Sequence, residues 1–215
     1  MRPLLVGGLV AIAVGVLGIA GTGIAMNATG YNHIGTWSGM TRGDPGQMMG
    51  QMMSGTAPEY VGQAQARSLG EQIPTGATIN KAHNRLILHG QNVHLVVLAS
   101  PEGGPDMAFR IAGLTNPVVA VPTGAAVTVQ FINGDTDPSH GWELANRQES
   151  FAYMPMMGSS LALPGSSAMP LGIPSKDGWP AETISFSVNS PGTYTYLCPV
   201  PGHAQKGMHG EFLVG

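Results

Sequence analysis

The C-terminal segment 193–215 constrains the fold most, because it has the pattern of two strands joined by a short loop. Side chains alternate through 194–198, so that Tyr196 and Cys198 fall on the same face of a strand. Pro201 and Gly202 then mark a turn. A second apolar run follows at 211–214. The segment therefore predicts a strand–loop–strand unit at the end of the chain.

The loop in this unit carries three potential metal ligands at equal spacing: Cys198, His203 and Met208. A thiolate, an imidazole and a thioether, with a second imidazole from elsewhere, form the ligand set of a blue-copper electron-transfer site. The chain has one cysteine, so it forms no internal disulfide. Alternatives for Cys198 are a small buried hydrophobe or a catalytic thiol with His140 or His203 as base. The methionine and the strand–loop–strand setting favour the metal.

The second imidazole must come from another part of the chain. His140 follows the alternating strand 126–133, close to where that strand leaves its sheet, and is the predicted ligand. His209 is assigned to solvent or to a position behind the ligands, because a strand through it sends its side chain away from that of Met208. Three earlier histidines are predicted to be surface or packing residues: His83, His89 and His94.

Short alternating runs separated by Gly and Pro turns predict an all-β fold, an antiparallel sandwich or barrel. The candidate strands are 85–88, 93–98, 108–112, 118–121, 126–133, 183–188, 193–198 and 211–214. A short helix is predicted at 60–69. The stretch 146–181 has too many prolines for a long helix and is expected to cover one end of the sandwich. Charged residues make up only 10% of the chain and the net charge is −3, so the sequence lacks the excess of positive charge typical of nucleic-acid-binding proteins.

The N-terminal region is predicted to have two parts ahead of a domain at 59–215. Residues 1–26 include an uncharged run at 4–26, long enough to cross a bilayer as a transmembrane helix. A cleaved signal segment is the alternative. With either an anchor or a signal segment, the rest of the chain is expected to be exported from the cytoplasm. Residues 27–58 form a Gly/Met-rich linker with a methionine cluster at 48–53. That cluster is either flexible filler or a weak Cu(I)-collecting tract.

Several of these motifs resemble those of the rusticyanins and sulfocyanins, which are blue (type 1) copper proteins of the cupredoxin family found in acidophilic respiratory chains. The resemblance covers roughly 60–215 and rests on the Cys-x4-His-x4-Met loop, the Phe-Ile-Asn strand leading to a histidine, and the Tyr-Met-Pro segment at 153–155. It implies a Greek-key β-sandwich holding one copper ion. It also implies the ligand roles for four residues: His140, Cys198, His203 and Met208.

The resemblance further implies an electron carrier rather than an enzyme, with a cytochrome or terminal oxidase as redox partner. Sulfocyanins are membrane-anchored, which agrees with the run at 4–26 and implies a location facing the periplasm or cell exterior; secretion after signal cleavage is the alternative. Transient docking is expected near His203, on an apolar patch of Met154, Met156, Met157 and Leu161, although burial of these methionines against the site is an equal possibility.

Two residues depart from the family pattern. Asn or Ser commonly follows the first ligand histidine, but here the residue is Gly141, so only its backbone N–H can reach the cysteine sulfur. Pro199 follows Cys198 and has no N–H to donate. Because hydrogen bonds to the thiolate tune the reduction potential, the family's high potential does not carry over to this chain on the resemblance alone.

Two other functions compete with electron transfer. Copper storage or delivery is possible if the methionine cluster at 48–53 collects Cu(I). An enzyme such as a nitrite reductase or multicopper oxidase would need further copper sites. The sequence contains no His-x-His motif, and Pro199 rather than His follows Cys198, so the enzyme ranks last.

Overall fold

Strands dominate the part of the chain that the computed structural model describes, residues 59–101, 103–147, 150–154 and 161–215. The described residues form thirteen strands, one α-helix and two short 3-10 turns. The elements are β1 (Glu59–Val61), α1 (Gln63–Glu71), β2 (Ala77–Asn80), β3 (Arg85–Leu88), β4 (Asn92–Ala99), β5 (Phe109–Ile111), β6 (Leu114–Thr115), β7 (Val118–Val121), β8 (Ala125–Asn133), β9 (His140–Asn146), β10 (Ser167–Leu171), β11 (Trp179–Val188), β12 (Gly192–Leu197) and β13 (His209–Val214). The prediction of a mainly β protein is confirmed.

The strands form two sheets that bury a shared apolar core. Sheet A has the order β1-β11-β8-β4-β5-β6, and sheet B has the order β10-β9-β12-β13-β7-β3-β2. The predicted antiparallel arrangement is correct only in part, because β4 pairs with β8, and β7 with both β3 and β13, in parallel. Parallel neighbours require long crossovers, and the strand patterns alone did not show which strands would be joined in that way.

Period-two alternation in β8 and β11 determines which side chains enter the core. Val129 and Phe131 of β8 and Ile184 and Phe186 of β11 are buried in the same cluster, whereas Ser185 between the last two is exposed. Because alternate strand residues point to opposite faces, the sequence pattern predicted this core correctly.

The helix α1 begins later than predicted and covers the outer face of sheet A. Tyr60 belongs to β1, where it pairs with Pro180, and the helix runs over Gln63–Glu71. The N–H of Gly113 donates to the carbonyl of Gly70 at 2.9 Å, which joins the helix end to sheet A. A second buried cluster lies on this face: Val61, Ala66, Leu98, Ile132, Trp179 and Ala181.

The stretch 146–181 contains more regular structure than expected. Its residues Ser167–Leu171 form β10, an edge strand of sheet B that pairs with β9, and β11 already begins at Trp179. Proline is compatible with an edge strand and with a break in register, and Pro170 lies where the pairing of β10 with β9 shifts. The prolines therefore excluded a helix but not a strand.

The predicted membrane or signal segment 1–26 and the linker 27–58 lie outside the described residues, so their boundaries remain predictions. Within the described ranges, no helix is long and apolar enough to cross a membrane.

Candidate metal centre

The first histidine of the centre is held at the start of β9 by a network around Asn133. The Asn133 side chain is fully buried at the end of β8, and its Nδ2 donates to the carbonyls of Pro138, Leu171 and Gly172 at 3.3, 3.2 and 2.9 Å. These bonds fasten the β8–β9 connection to the end of β10. His140, the next residue to enter a strand, is thereby fixed with its side chain fully buried.

Backbone hydrogen bonds close the loop between β12 and β13. The N–H of Cys198 donates to the carbonyl of Met208, and the N–H of Met208 donates to the carbonyl of His203, both at 3.1 Å. Gly202 and Gly207 have φ angles of 78° and 106°, left-handed values that favour glycine. The loop therefore turns tightly enough to place residues five apart in sequence around one point.

The described structure brings three of the four predicted ligands together. The Nδ1 atoms of His140 and His203 are 3.1 Å apart, and the Sγ of Cys198 lies 3.8 and 3.5 Å from them. Imidazole nitrogens and thiolate sulfurs bind a first-row metal ion at about 2.0–2.3 Å, so donors at these separations fit a single shared ion. No other cluster of this kind occurs in the described ranges.

Met208, the fourth predicted ligand, is fully buried and belongs to the same apolar cluster as Cys198. His203 is 6% exposed, whereas His140 and Cys198 are 0% exposed. Two imidazoles, one thiol and a buried thioether form a donor set typical of type 1 copper. The residues present therefore fit one type 1 copper ion.

Burial sets the protonation of the ligands in the metal-free protein. It lowers the pKa of His203 to about 4, assisted by the nearby His140 and Lys206, and it lowers the pKa of His140 against the influence of Asp135. Burial also raises the pKa of the Cys198 thiol to about 11. At neutral pH both imidazoles are thus neutral and able to bind a metal, while the thiol must release a proton on binding.

Two backbone N–H groups, those of Gly141 and Val200, donate to the Cys198 sulfur. The expectation that Gly141 would contribute its backbone N–H is confirmed. Pro199 has no N–H, but the donor of the following residue, Val200, is available. A Cβ on Gly141 would lie 3.0 Å from the carbonyl oxygen of Ala168 and 3.0 Å from Cγ of Pro199, so the wall beside the sulfur has no room for a side chain.

Sequence reasoning missed Asp135. Its Oδ2 lies 2.9 Å from Nε2 of His140, and its Oδ1 accepts a hydrogen bond from the N–H of Asp137 at 3.0 Å. Metal-binding histidines commonly donate their second ring N–H to a carboxylate. An acidic residue five positions before a candidate histidine was the available signal.

The other histidines in the described ranges are not part of the group of donors. His83, His89 and His94 are exposed, as predicted. The His209 ring is half-buried against Phe151, with ring centroids 4.2 Å apart. The methionines at 156 and 157 lie outside the described residues, while Met154 and Leu161 are 45% and 42% exposed.

Comparison with known proteins identifies related sequences. Rusticyanin from Acidithiobacillus ferridurans is 34% identical over 125 residues, which cover 58% of this chain and 64% of that protein. A rusticyanin from Acidithiobacillus ferrooxidans has the same identity over 58% of this chain and 77% of its own length. Auracyanin-A from Chloroflexus aurantiacus is 29% identical over 118 residues, which cover 52% of this chain and 69% of that protein. No family model matches the chain.

Solved structures show the same fold. Reduced rusticyanin at 1.9 Å superposes with a TM-score of 0.64 at 23% identity, covering 74% of this chain and all of that one. The 1.27 Å structure of rusticyanin from Thiobacillus ferrooxidans gives a TM-score of 0.65 at 24% identity, covering 74% and 98%. Together with the identity over three-quarters of a rusticyanin sequence, this likeness shows that the chain belongs to the rusticyanin-type blue copper proteins, within the cupredoxin family.

Proposed function

We propose that this protein is an extracytoplasmic, mononuclear type 1 copper electron carrier of a respiratory chain, with His140, Cys198, His203 and Met208 as ligands. The observation that carries the proposal is the convergence of Nδ1 of His140, Sγ of Cys198 and Nδ1 of His203 within 4.8 Å of one another. Bound copper supplies a one-electron Cu(I)/Cu(II) couple.

The chain's own contribution is a donor set that is held in place before the metal binds. Hydrogen bonds within the loop fix Cys198 and Met208 relative to His203, and the Asn133 network fixes the approach to His140. Such restraint suits electron transfer, because little of the protein must rearrange when the charge changes. Full burial of Cys198 and Met208 also opposes rapid exchange of the ion, which disfavours copper delivery as the main role.

Docking of the redox partner is proposed at the surface next to His203. This ligand is the only one of the three grouped donors with any exposed surface. The neighbouring N–H of Gly202 donates to the carbonyl of Tyr153 at 2.7 Å, so the segment 153–154 is tied to the ligand loop. Tyr153 and Met154 are exposed apolar side chains of this segment, and we include the exposed Leu161 with them in the proposed docking patch. A cytochrome or terminal oxidase would contact this patch briefly.

The proposed location rests on the sequence alone. The uncharged run at 4–26 supports a membrane anchor that holds the copper domain on the periplasmic or outer side, with release after signal cleavage as the alternative. Separation of the membrane and soluble fractions, followed by N-terminal sequencing of the mature protein, distinguishes the two.

The decisive experiment is optical and electron paramagnetic resonance spectroscopy of the copper-loaded protein. The wild type should show the intense visible absorption of a copper–thiolate centre and a reversible one-electron couple. Cys198→Ser should abolish that absorption, and His94→Gln, at an exposed histidine, should leave it unchanged. Persistence of the colour in Cys198→Ser would refute the ligand assignment.

A further inference from the structure

Asp135 contacts the metal centre from the side opposite to the metal-facing nitrogen of His140. Its Oδ2 lies 2.9 Å from Nε2 of His140, whereas Nδ1 of the same ring faces Cys198 and His203. The Asp135 side chain is 15% exposed and that of His140 is 0% exposed. The pair is therefore largely removed from water. In such surroundings a single charge has a larger influence than it has at the surface.

Other hydrogen bonds fix the position of the Asp135 carboxylate. The N–H of Asp137 donates to Oδ1 of Asp135 at 3.0 Å, and the N–H of Asp135 donates to Oδ1 of Asn133 at 3.0 Å. The carboxylate thus has one hydrogen-bond partner on each oxygen: the N–H of Asp137 on Oδ1 and Nε2 of His140 on Oδ2. An amide, which has one oxygen, could accept only one of these two bonds, so the site is shaped for a carboxylate.

We propose that Asp135 is a positioning residue of the copper centre: its carboxylate keeps the His140 proton on Nε2, leaves Nδ1 free to bind the metal, and adds a negative charge that favours Cu(II) over Cu(I). The inference rests on the proposed ligand role of His140. It goes beyond that role by assigning the orientation of the ring and part of the reduction potential to a residue that does not touch the metal.

The first consequence concerns the metal-free protein. Neutral imidazole carries its proton on one of two nitrogens, and a hydrogen-bond partner selects which one. Because Asp135 accepts only from a protonated Nε2, metal-free His140 should have a protonated Nε2 and a bare Nδ1. This form binds a metal through Nδ1 without first moving a proton on the ring.

The second consequence concerns the balance between the two copper states. A negative charge beside a ligand stabilises the more highly charged ion. Its loss should therefore weaken Cu(II) binding relative to Cu(I) by on the order of tenfold, which raises a one-electron reduction potential by about 59 mV.

The test compares three variants by two measurements at one neutral pH. Asp135→Asn removes the charge but keeps one acceptor, Asp135→Leu removes both, and Asp137→Asn removes a charge from an exposed neighbour in the same connection. Ring nitrogen NMR of the metal-free proteins reports which nitrogen of His140 is protonated. Redox titration of the copper-loaded proteins reports the potential.

We expect Asp135→Asn to raise the potential by at least twice the change seen in Asp137→Asn, with the blue absorption retained. Asp135→Leu should in addition show His140 with its proton distributed over both nitrogens. Equal shifts in Asp135→Asn and Asp137→Asn, or a wild-type His140 protonated on Nδ1, would overturn the inference. Absence of a type 1 spectrum in the wild type would instead refute the proposed function, and the NMR of metal-free His140 would still decide whether Asp135 positions the ring.

Discussion

The metal centre and the outer face of sheet A beneath α1 are both buried, but they are buried at different energetic cost. Beneath α1 the buried side chains are apolar, Ala66 and Leu98 among them, and their removal from water is favourable in itself. In the metal centre, burial shifts the pKa of His203 down to about 4 and the pKa of Cys198 up to about 11. Burial there disfavours the charged forms of the ligands.

This difference separates stability from function within one molecule. The layer beneath α1 should contribute to the free energy of unfolding whether or not copper is present. The centre keeps polar groups in the interior whose favourable partner is the metal, and metal binding to such a site adds to folding stability. Substitutions in the two regions should therefore change different measured quantities.

The largest effect on stability is expected from Leu98→Ala, beneath the helix. Leu98 is 1% exposed, and the helix backbone at Gly70 packs closely against its side chain. Truncating a buried leucine costs about 2–5 kcal/mol. Urea unfolding of the metal-free protein should show this loss, while the visible spectrum of the copper-loaded variant should match that of the wild type.

A matched control for this change is Leu161→Ala, because Leu161 is 42% exposed. Its free energy of unfolding should change by less than about 0.5 kcal/mol. If Leu98→Ala altered the copper spectrum as strongly as a substitution next to the sulfur, the two regions would be coupled and the separation would be wrong.

The sequence could predict those features of the fold and of the centre that depend on residues close together in the chain. Alternation identified β8, β11 and β12, since one buried face imposes a period of two. The spacing of Cys198 and His203 correctly predicted two of the three grouped donors, because a short loop already places its residues near one another. The start of α1 was predicted too early, because Tyr60 pairs with β11 and so belongs to β1. Strand β10 was not predicted, because its Pro170 argued against regular structure although proline is compatible with an edge strand.

The contribution of Asp135 was also missed, for a different physical reason. Its role depends on the direction of its side chain in the β8–β9 connection, which the buried Asn133 amide fixes through contacts with Pro138, Leu171 and Gly172. Two of these partners lie more than thirty residues away in sequence. Local patterns carry no information on contacts of that range.

An intermediate effect is expected at Gly141, which follows His140 and packs against Ala168 and Pro199. A methyl group there would lie 3.0 Å from the Ala168 carbonyl oxygen and 3.1 Å from the backbone nitrogen of Pro170. Backbone atoms yield little, so Gly141→Ala should cost about 1–3 kcal/mol. It should also shift the copper–thiolate absorption, because the Gly141 N–H donates to the Cys198 sulfur.

Gly172→Ala is the control for this prediction, since a Cβ at Gly172 meets no atom within 4 Å. It should leave both the unfolding curve and the spectrum close to those of the wild type. A Gly141→Ala protein with wild-type stability and an unshifted spectrum would show that the chain can relax around the sulfur at no cost.

The last effect is expected from pH, and His203 of the centre contributes to it. In the unfolded chain a histidine has a pKa near 6.5, whereas burial lowers that of His203 to about 4 in the folded metal-free protein. Between these values the unfolded state binds more protons. The stability contributed by neutral His203 is therefore complete above about pH 6.5 and is lost as the pH falls toward 4.

Urea unfolding of the metal-free protein at a series of pH values from 7 to 4 measures this loss. The contribution of His203 to the slope should stay below the limit of about 1.4 kcal/mol per pH unit for one proton. His203→Gln should reduce the slope in this window, to which His140 and His209 still contribute because burial lowers their pKa values too. Leu98→Ala should lower the curve without changing its shape. An unchanged slope in His203→Gln would mean that another group governs the acid sensitivity, and the energetic distinction between the two buried regions would then need a different origin.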